Sequence, residues 1–309
     1  MTHKTLSVGI IGAITLDEIA HVKQRIEPQD SNQAVFSKSL GGVGANIARN
    51  LHKLAHKVTL ITAFNPLDLE GQFIQAKLTE EKLNIHLIPS QQTAKFIAFM
   101  DHNQDLYVGM NDMQAFEKAM NKAALSTIKP ILDGFDILLI DANFTGVTLQ
   151  YIVKAFKGPI YAEAISANKV LRLKPILPYL KGIKLNLKES QSLFDDPTLT
   201  AKAAVLKLKN LGLNDVIVTS GEQGAFIADQ DQSAMYKPKK SKHVNTLGAG
   251  DAFFAGYLHG VLTNQDKINN AFSLAQIALE SNESVSKVLN LDYFKKRCEE
   301  YHYVRKNRD

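Results

Sequence analysis

Residues 244–256 read Val-Asn-Thr-Leu-Gly-Ala-Gly-Asp-Ala-Phe-Phe-Ala-Gly, and they indicate the architecture of the whole chain. Two glycines flank a small alanine at Gly248-Ala249-Gly250, so three consecutive backbone N–H groups can approach an anion without a bulky side chain between them. The residues that follow are apolar at a spacing that predicts a helix running away from this loop: Ala252, Phe253, Phe254, Ala255, Tyr257, Leu258, Val261 and Leu262. The stretch therefore predicts a phosphate-binding loop at a helix N-terminus.

Asp251, at the start of this helix, is the predicted catalytic base. A carboxylate there lies beside the positive end of the helix dipole, which favours its ionised form. It is placed to accept a proton from a hydroxyl group, while the amides of Gly248, Ala249 and Gly250 face the charge that develops on a transferring phosphoryl group. The alternative is that Asp251 only caps its helix, as aspartates commonly do.

Residues 245–251, Asn-Thr-Leu-Gly-Ala-Gly-Asp, resemble the C-terminal signature of the ribokinase-like (PfkB) carbohydrate and nucleoside kinases, whose usual form is Asp-Thr-x-Gly-Ala-Gly-Asp. The second signature of that family is matched by residues 41–48, Gly-Gly-Val-Gly-Ala-Asn-Ile-Ala. Two matched signatures about two hundred residues apart are much stronger evidence than either motif alone. The departure is Asn245, where most members carry Asp, which makes this loop position neutral; the proposed base is intact.

The resemblance implies a ribokinase-like three-layer α/β/α sandwich, with a mostly parallel central sheet and a small β-sheet lid, forming a single kinase domain over residues 1–309. The residues agree, because alternating strand-like and helix-like segments are typical of one α/β domain. The alternation breaks at about 17–39 and 92–113, where short strands and a hairpin turning at 101–104 predict a small separate sheet. Such a lid keeps water away from a transferring phosphoryl group.

Polar residues near predicted strand ends are candidates for substrate binding. Asp17 follows the first strand, at the sheet edge where α/β proteins bind ligands, and similar kinases bind the sugar with an aspartate here; loop capping is the alternative. Asn46, in the first turn of its helix, can direct an amide to a hydroxyl group, and the glycines before it allow a ligand to lie against the backbone. The predicted substrate-binding set is Asp17, Ser31, Asn32, Gly41, Gly42, Val43, Asn46, Thr93, Asn111, Asp112 and Asn143.

Within the family, the lid segments look more like those of pseudouridine kinases than those of ribokinases or fructokinases. The matching features are residues 109–113, residues 30–32 and Asn245, since some pseudouridine kinases have Asn at that position. A uracil ring needs donors and acceptors for its carbonyl and N–H groups, and Asn32, Asn111 and Asp112 offer them. The alternative for each is that it only forms a turn.

The resemblance also implies sites for ATP and Mg²⁺. Asn186 and Glu189 resemble the family's Asn-x-x-Glu element, which organises Mg²⁺ and phosphate through water, as suits an ion that keeps its hydration shell; the same pair fits a helix cap. Related kinases hold ATP at the turn after strand 216–219, with adenine between that turn and helix 271–281. The predicted ATP-binding set is Asn186, Thr219, Gly221, Gly224, Thr246, Gly248 and Gly250. Glu163-Ala164 replaces the family's Asp-Pro, which leaves the role of Glu163 undecided.

Composition restricts the other functional classes. The 309 residues are 45% hydrophobic and contain one cysteine, Cys298, so a large core is expected and an intrachain disulfide is excluded. No signal-like segment or apolar run of about 18 residues occurs, which predicts a cytoplasmic protein without membrane contact. The basic clusters 237–242 and 305–308 lack the interleaved aromatics of a nucleic-acid groove and indicate solvated surface, although the first could attract a nucleotide. His52 and His56 lack a third zinc ligand.

The sequence thus predicts ATP-dependent phosphorylation of the 5′-hydroxyl group of a nucleoside, with pseudouridine preferred. The alternatives are a ribokinase-like kinase of another nucleoside or sugar, such as ribose, fructose, adenosine or inosine, and a non-catalytic nucleoside-binding protein. No Gly-x-x-x-x-Gly-Lys-Ser/Thr loop occurs, which argues against a P-loop kinase. A requirement for a monovalent cation such as K⁺ and a homodimer formed through the lid are compatible with the resemblance but are not decided by the sequence.

Overall fold

The computed structural model describes residues 6–103, 106–230, 232–239, 246–301 and 303–306. Along the chain its elements are β1 (Ser7–Ile11), β2 (Thr15–Val22), β3 (Ala34–Gly41), α1 (Val43–Lys53), β4 (Lys57–Phe64), α2 (Leu69–Glu81), β5 (Asn84–Pro89), β6 (Lys95–Met100), β7 (Leu106–Asp112), α3 (Gln114–Ala119), α4 (Lys122–Thr127), α5 (Lys129–Leu132), β8 (Ile137–Asp141), α6 (Gly146–Ala155), β9 (Ile160–Glu163), β10 (Gly182–Asn186), α7 (Leu187–Phe194), α8 (Ala201–Asn210), β11 (Asp215–Thr219), β12 (Ala225–Ala228), β13 (Ser233–Lys237), α9 (Ala249–Thr263), α10 (Lys267–Leu279), α11 (Leu291–Glu300) and β14 (Val304–Lys306). Two 3₁₀ helices cover Val170–Tyr179 and Gly221–Gln223.

The main sheet has ten strands in the order β14-β13-β12-β11-β10-β9-β8-β1-β4-β5. The strands from β11 to β5 in this order are parallel, and the three at the other edge are antiparallel. All residues of β1 and β8 are buried, as expected for parallel strands covered on both faces. The predicted mostly parallel central sheet is confirmed.

Helices cover both faces of this sheet, because successive side chains of a strand point to opposite sides. Ile11 and Leu138 belong to one hydrophobic core, together with side chains of α6 and α8. Their neighbours Ile10 and Leu139 belong to a second core, with side chains of α1, α9 and α10. The chain therefore forms the predicted three-layer α/β/α sandwich.

A separate four-stranded sheet, in the order β3-β2-β6-β7, forms the predicted lid. Its own small core consists of Ile19, Ala98 and Met100. The hairpin of β6 and β7 is antiparallel, as predicted, although residue 104 of its predicted turn lies outside the described residues. Every residue of β7 is exposed.

Residues 291–301 and 303–306, near the charged end of the chain, are part of the fold. Phe294 of α11 and Tyr301 are buried in the second core, and β14 pairs with β13 at the edge of the main sheet. The Tyr301 hydroxyl accepts a hydrogen bond of 3.0 Å from the Lys239 backbone N–H. None of the helices in the described ranges is long and apolar enough to cross a bilayer.

Candidate active site

The anion loop, residues 248–250, leads into α9 with the geometry of a helix N-terminus. Gly248 is the N-cap residue, with φ 79° and ψ −7°, and its carbonyl accepts a hydrogen bond of 2.9 Å from the Ala252 N–H. A Cβ atom on Gly248 would lie 2.4 Å from the Ser284 carbonyl oxygen, so only glycine fits. Since the first N–H groups of a helix lack intrahelical acceptors, the loop can present them to an anion.

Asp251, in the first turn of α9, is 9% exposed and contacts the second sequence signature directly. The Asn46 side-chain amide, on α1, donates a hydrogen bond of 2.8 Å to Asp251 Oδ2. The other polar atom of that amide, Asn46 Oδ1, is buried and has no hydrogen-bond partner among the described residues. A buried acceptor without a partner is costly, so this atom is a natural contact for a ligand hydroxyl group.

The ionisation of Asp251 differs from the sequence-based expectation. Burial, the largest influence, raises its pKa to about 7, and the charge of Glu163 adds to this effect. The charge of Lys184 and the hydrogen bond from Asn46 act in the opposite direction. Burial thus outweighs the helix dipole that was expected to keep the carboxylate ionised, and the resulting pKa lies where a general base works best at neutral pH.

Lys184, which the sequence analysis did not single out, lies under the anion loop. It is buried on β10, and its Nζ is 2.6 Å from Glu163 Oε1 on β9. A Cβ atom on Gly250 would lie 3.0 Å from the same Nζ. Burial lowers the pKa of Lys184, but the charges of Glu163, Glu189 and Asp251 outweigh it, so that the pKa is raised. One lysine within the apolar sequence of a central strand is the signal that could have identified it.

Asn186 and Glu189 form both hydrogen bonds of the predicted capping box at the start of α7. Asn186 Oδ1 accepts from the Glu189 N–H at 2.8 Å, and Glu189 Oε2 accepts from the Asn186 N–H at 2.7 Å. Burial is the main cause that raises the pKa of Glu189 to about 7, and Glu163 adds to it. Among the described residues, no three His, Cys, Asp or Glu side chains form a metal-binding group.

Asp17 lies on the buried face of the lid strand β2. The Thr15 hydroxyl donates a hydrogen bond of 2.6 Å to its Oδ1, and burial raises its pKa to about 7. Asp17 also raises the pKa of Asp251, so the two carboxyl groups are electrostatically linked. The Asp17 carboxyl group packs on Gly41, where a Cβ atom would overlap it at 1.9 Å.

The glycines around residue 42 pack closely against neighbouring backbone atoms. Gly42 has φ 93°, and a Cβ atom there would lie 2.3 Å from the Ala13 carbonyl oxygen. A Cβ atom on Gly44 would lie 2.6 Å from Gly12 Cα. Protein atoms fill these spaces, so the glycines bring the start of α1, with half-buried Val43, onto the end of β1 and so bring Asn46 to Asp251.

Several predicted substrate residues have structural partners of their own. The Asn32 amide bonds to both backbone groups of Glu27 at 2.9 Å, and the Thr93 hydroxyl donates to Asp68 Oδ1 at 2.7 Å. Asp112 Oδ1 accepts from the Gln114 N–H at 3.2 Å. Ser31 and Asn111 are exposed in the lid. The contacts of Asn32 and Asp112 are the turn-forming alternatives stated above, whereas Thr93 bonds to the N-cap residue of α2.

Asn143 lies beyond the end of β8, and its side chain contacts a lysine that was not predicted. Its Oδ1 accepts a hydrogen bond of 2.6 Å from Lys169 Nζ, and its N–H donates to Asp141 Oδ1 at 3.0 Å. Burial lowers the pKa of Lys169. Asn143 is therefore held in place at the carboxyl end of the central strands.

A cavity of about 630 Å³ opens beside the anion loop. Five of the seven predicted ATP residues line it: Thr219, Gly221, Gly224, Thr246 and Gly250. Phe253, Phe272, Ala275 and Leu279, from α9 and α10, form an apolar wall. Asn186 and Gly248 do not line the cavity. Its size and its mixture of apolar and polar walls suit a planar heterocycle joined to a polar chain.

The remaining predicted features are Asn245, the two basic clusters, and His52 and His56. Asn245 falls outside the described residues, as do residues 240–242 and 307–308 of the two basic clusters. Lys239 lines the cavity. His52 Nε2 lies 3.0 Å from the Glu81 carbonyl oxygen, and His56 Nε2 lies 2.8 Å from His259 Nδ1.

The His56–His259 contact joins the far ends of α1 and α9, and it predicts acid sensitivity. Burial lowers the pKa of both residues from 6.5 to about 4. The unfolded chain therefore takes up protons that the folded chain does not, and the stability due to the neutral pair is lost as pH falls from about 6.5 towards 4.

We expect protonation of this pair to lower the free energy of unfolding by roughly 3 kcal/mol as pH falls over this range. Urea unfolding at pH 7.5 and 4.5 measures the loss. Buried carboxyl groups with a raised pKa act in the opposite direction, so the double variant His56→Gln/His259→Gln is the reference, and it should show less acid destabilisation. An identical pH dependence in both proteins would contradict the assignment.

Comparison with known proteins identifies relatives over most of the chain. Residues 5–278 match the family described as pfkB family carbohydrate kinase. Pseudouridine kinase of Escherichia coli (strain K12) is 26% identical over 258 residues, which are 81% of this chain and 82% of that protein. Guanosine-inosine kinase of Exiguobacterium acetylicum is 24% identical over 278 residues, 86% and 91% of the two chains. The structure of Arabidopsis thaliana ribokinase complexed with ribose and ATP superimposes with a TM-score of 0.79 at 18% identity, over 96% of this chain and 99% of that one.

Proposed function

Since the chain belongs to the pfkB family of carbohydrate kinases, and is therefore a phosphotransferase, we propose that it transfers the γ-phosphoryl group of ATP to the 5′-hydroxyl group of pseudouridine. The observation that carries the proposal is the hydrogen bond between Asn46 and Asp251. It joins both signatures at one point beside a cavity of suitable size for a nucleotide.

In the proposed reaction, Asp251 accepts the proton of the 5′-hydroxyl group as its oxygen attacks the phosphoryl group. The N–H groups of the anion loop face the charge that develops on that group, and positioning with charge stabilisation supplies most of the acceleration. Asp17 and the Asn46 amide hold the sugar hydroxyl groups. Asn143 lies at the carboxyl end of the central strands, close in sequence to the end of β8.

ATP fits the cavity with its adenine against the apolar wall and its phosphates towards Gly250. Bound Mg²⁺ would neutralise phosphate charge, and Asn186 and Glu189 would hold it through water. The second carboxylate oxygen of Glu189, Oε1, accepts no hydrogen bond from the described residues, which leaves it available for a water ligand.

Two observations support pseudouridine: the lid segments 30–32 and 109–113, and the similarity to the kinase of Escherichia coli. Because both polar atoms of the Asn32 amide are occupied by its own turn, Asn111 is the main proposed contact to the base, together with the carboxylate oxygen of Asp112 that does not accept from Gln114. The similarity to guanosine-inosine kinase favours a purine nucleoside as the second candidate.

A substrate panel tests the proposal. Pseudouridine, uridine, inosine, adenosine, ribose and fructose are each incubated with MgATP, and ADP formation gives kcat/KM. We expect pseudouridine to give the highest value and ³¹P NMR to show a 5′-phosphate. A higher kcat/KM with inosine or ribose would move the assignment to that substrate, and ATP consumption independent of every acceptor would contradict it.

We also propose that two chains associate through the outer face of the lid. Large apolar side chains are exposed there, among them Phe36 at 72% and Met110 at 52%, and both lie on the face of the small sheet opposite to that of Asp17. Exposed apolar side chains of this kind mark interaction surfaces. Light scattering at micromolar concentration should give the mass of a dimer, and Phe36→Glu/Met110→Glu that of a monomer. Leu67→Glu, at an exposed leucine outside the lid, should not change the mass; a monomeric parent protein would contradict the proposal.

A further inference from the structure

The site gathers several negative groups where a nucleotide of high negative charge has to enter. The carboxyl groups of Glu163, Glu189 and Asp251 lie close enough to interact electrostatically, and Asp17 also acts on Asp251. Like charges so close together oppose the binding of phosphates unless a cation compensates them. Arg49 does not serve Asp251 in this way, because its guanidinium group bonds to Glu81 at 2.6 and 2.8 Å.

Lys184 has the position required of that cation. It projects from β10 in the middle of the main sheet, and its ammonium group reaches the underside of Gly250. Gly250 has no side chain, and a Cβ atom there would lie at 3.0 Å from Nζ. The absence of a Cβ atom at this position therefore lets a buried positive charge lie directly against the loop.

The carboxylate group of Glu163 holds this lysine in place. Its Oε1 accepts from Lys184 Nζ at 2.6 Å, and its Oε2 accepts from the Ile165 N–H at 2.7 Å. Both carboxylate oxygens are therefore engaged, one by the ammonium group of Lys184 and the other by the backbone. This arrangement gives a physical role to the residue that replaces the usual aspartate at this position.

We propose that Lys184, held by Glu163 beneath Gly250, is a positioning residue for phosphoryl transfer: its fixed charge directs the anion loop and Asp251 towards the phosphates of ATP. The inference rests on the proposed kinase function. A charge that is buried and already oriented stabilises a developing negative charge without reorganisation, whereas a mobile surface lysine would have to be ordered first.

The positioning role of Lys184 has to be distinguished from a purely structural role, because removing one partner of a buried ion pair destabilises a protein strongly. The single variant Lys184→Met leaves Glu163 unpaired and is expected to lower the melting temperature. In the double variant Glu163→Gln/Lys184→Met, Gln keeps an acceptor for the Ile165 N–H and no charge is left unpaired. The double variant should therefore recover most of the melting temperature.

The positioning role predicts that activity does not recover with stability. In the double variant, kcat should remain at least roughly 10²-fold below that of the parent protein, as for the loss of one oxyanion-stabilising group. The dissociation constant of the nucleoside should stay unchanged, since Lys184 lies under the phosphate loop. Lys202→Met, at an exposed position on α8, is the matched control and should behave as the parent protein. A double variant with parental kcat overturns the inference.

A binding measurement decides the inference even if the acceptor has been assigned wrongly. Calorimetric titration with ATP and with adenosine is done on the parent protein and the double variant. We expect ATP to bind at least roughly tenfold more weakly to the variant and adenosine to bind equally to both. Equal ATP affinities would overturn the inference, whereas a parent protein that binds ATP but phosphorylates no acceptor would overturn the proposed function alone.

Discussion

Replacement of Asp251 by asparagine should reduce kcat by at least ~10²-fold while the nucleoside binds nearly normally. Asparagine keeps an oxygen that can accept the 2.8 Å hydrogen bond from Asn46, so the local geometry can be retained. It cannot take up the proton of the attacking hydroxyl group, because an amide is not basic at neutral pH. Steady-state kinetics gives kcat, and calorimetry gives the nucleoside dissociation constant.

The pH profile gives a second readout for the same variant. Since the pKa of Asp251 is raised to about 7, kcat of the parent protein should fall as pH drops below 7 and the base becomes protonated. The residual activity of Asp251→Asn should lack this limb. Asp133→Asn, at an exposed residue that pairs with Lys129, is the control and should keep the parental profile. Unchanged turnover in Asp251→Asn would remove the proposed mechanism.

Gly248→Ala should destabilise the protein and abolish most activity, for two reasons that act together. The residue has φ 79°, a conformation that L side chains rarely adopt, and its new Cβ atom would lie 2.4 Å from the Ser284 carbonyl oxygen. Backbone strain costs about 1 kcal/mol, and overpacking against backbone adds about 1–3 kcal/mol. The loop must shift to relieve the contact, which turns its N–H groups away from the phosphates. Urea unfolding and kcat measure the two effects.

Gly212→Ala separates the strain from the collision. Gly212 has φ 96°, similar to that of Gly248, but nothing lies within 4 Å of the position of its Cβ atom. This control should lose about 1 kcal/mol of stability and no activity. If Gly248→Ala is no less stable than Gly212→Ala and equally active, the anion loop does not have the rigidity that the proposed mechanism requires.

The buried parallel strands were predictable because they leave a continuous apolar pattern, and the family resemblance implied the helix cover on both faces of the sheet. Residues 6–14 and 136–141 show the apolar pattern clearly, and the lid appeared as the place where this pattern breaks. The end of the chain was not predictable. Phe294 and Tyr301 stand among charged residues in the sequence, so no apolar pattern marks them as buried. Their burial depends on partners from α10 and β13, which lie elsewhere in the sequence.

Some of the predicted site residues could be identified from the sequence, and for others only the structure shows the contacts. Gly248, Gly250 and Asp251 follow one another in sequence, so a motif was sufficient to find them. For Asn32, the turn and the contact to the base differ only in which neighbour the side-chain amide bonds to, and the structure shows hydrogen bonds to Glu27. Propensity alone does not separate a turn-forming amide from a ligand-binding one.

The sequence by itself determined the family, the fold, the anion loop and the identity of the candidate base, because each depends on short patterns of glycine, apolar and acidic residues. Only the tertiary structure decided the electrostatics. It places Lys184 and Glu163 of two adjacent strands beneath a glycine more than sixty residues away along the chain, and it buries Asp251 so that its pKa rises to about 7. Charge interactions depend on distance and on exclusion of water, and neither quantity is encoded in the order of residues along the chain.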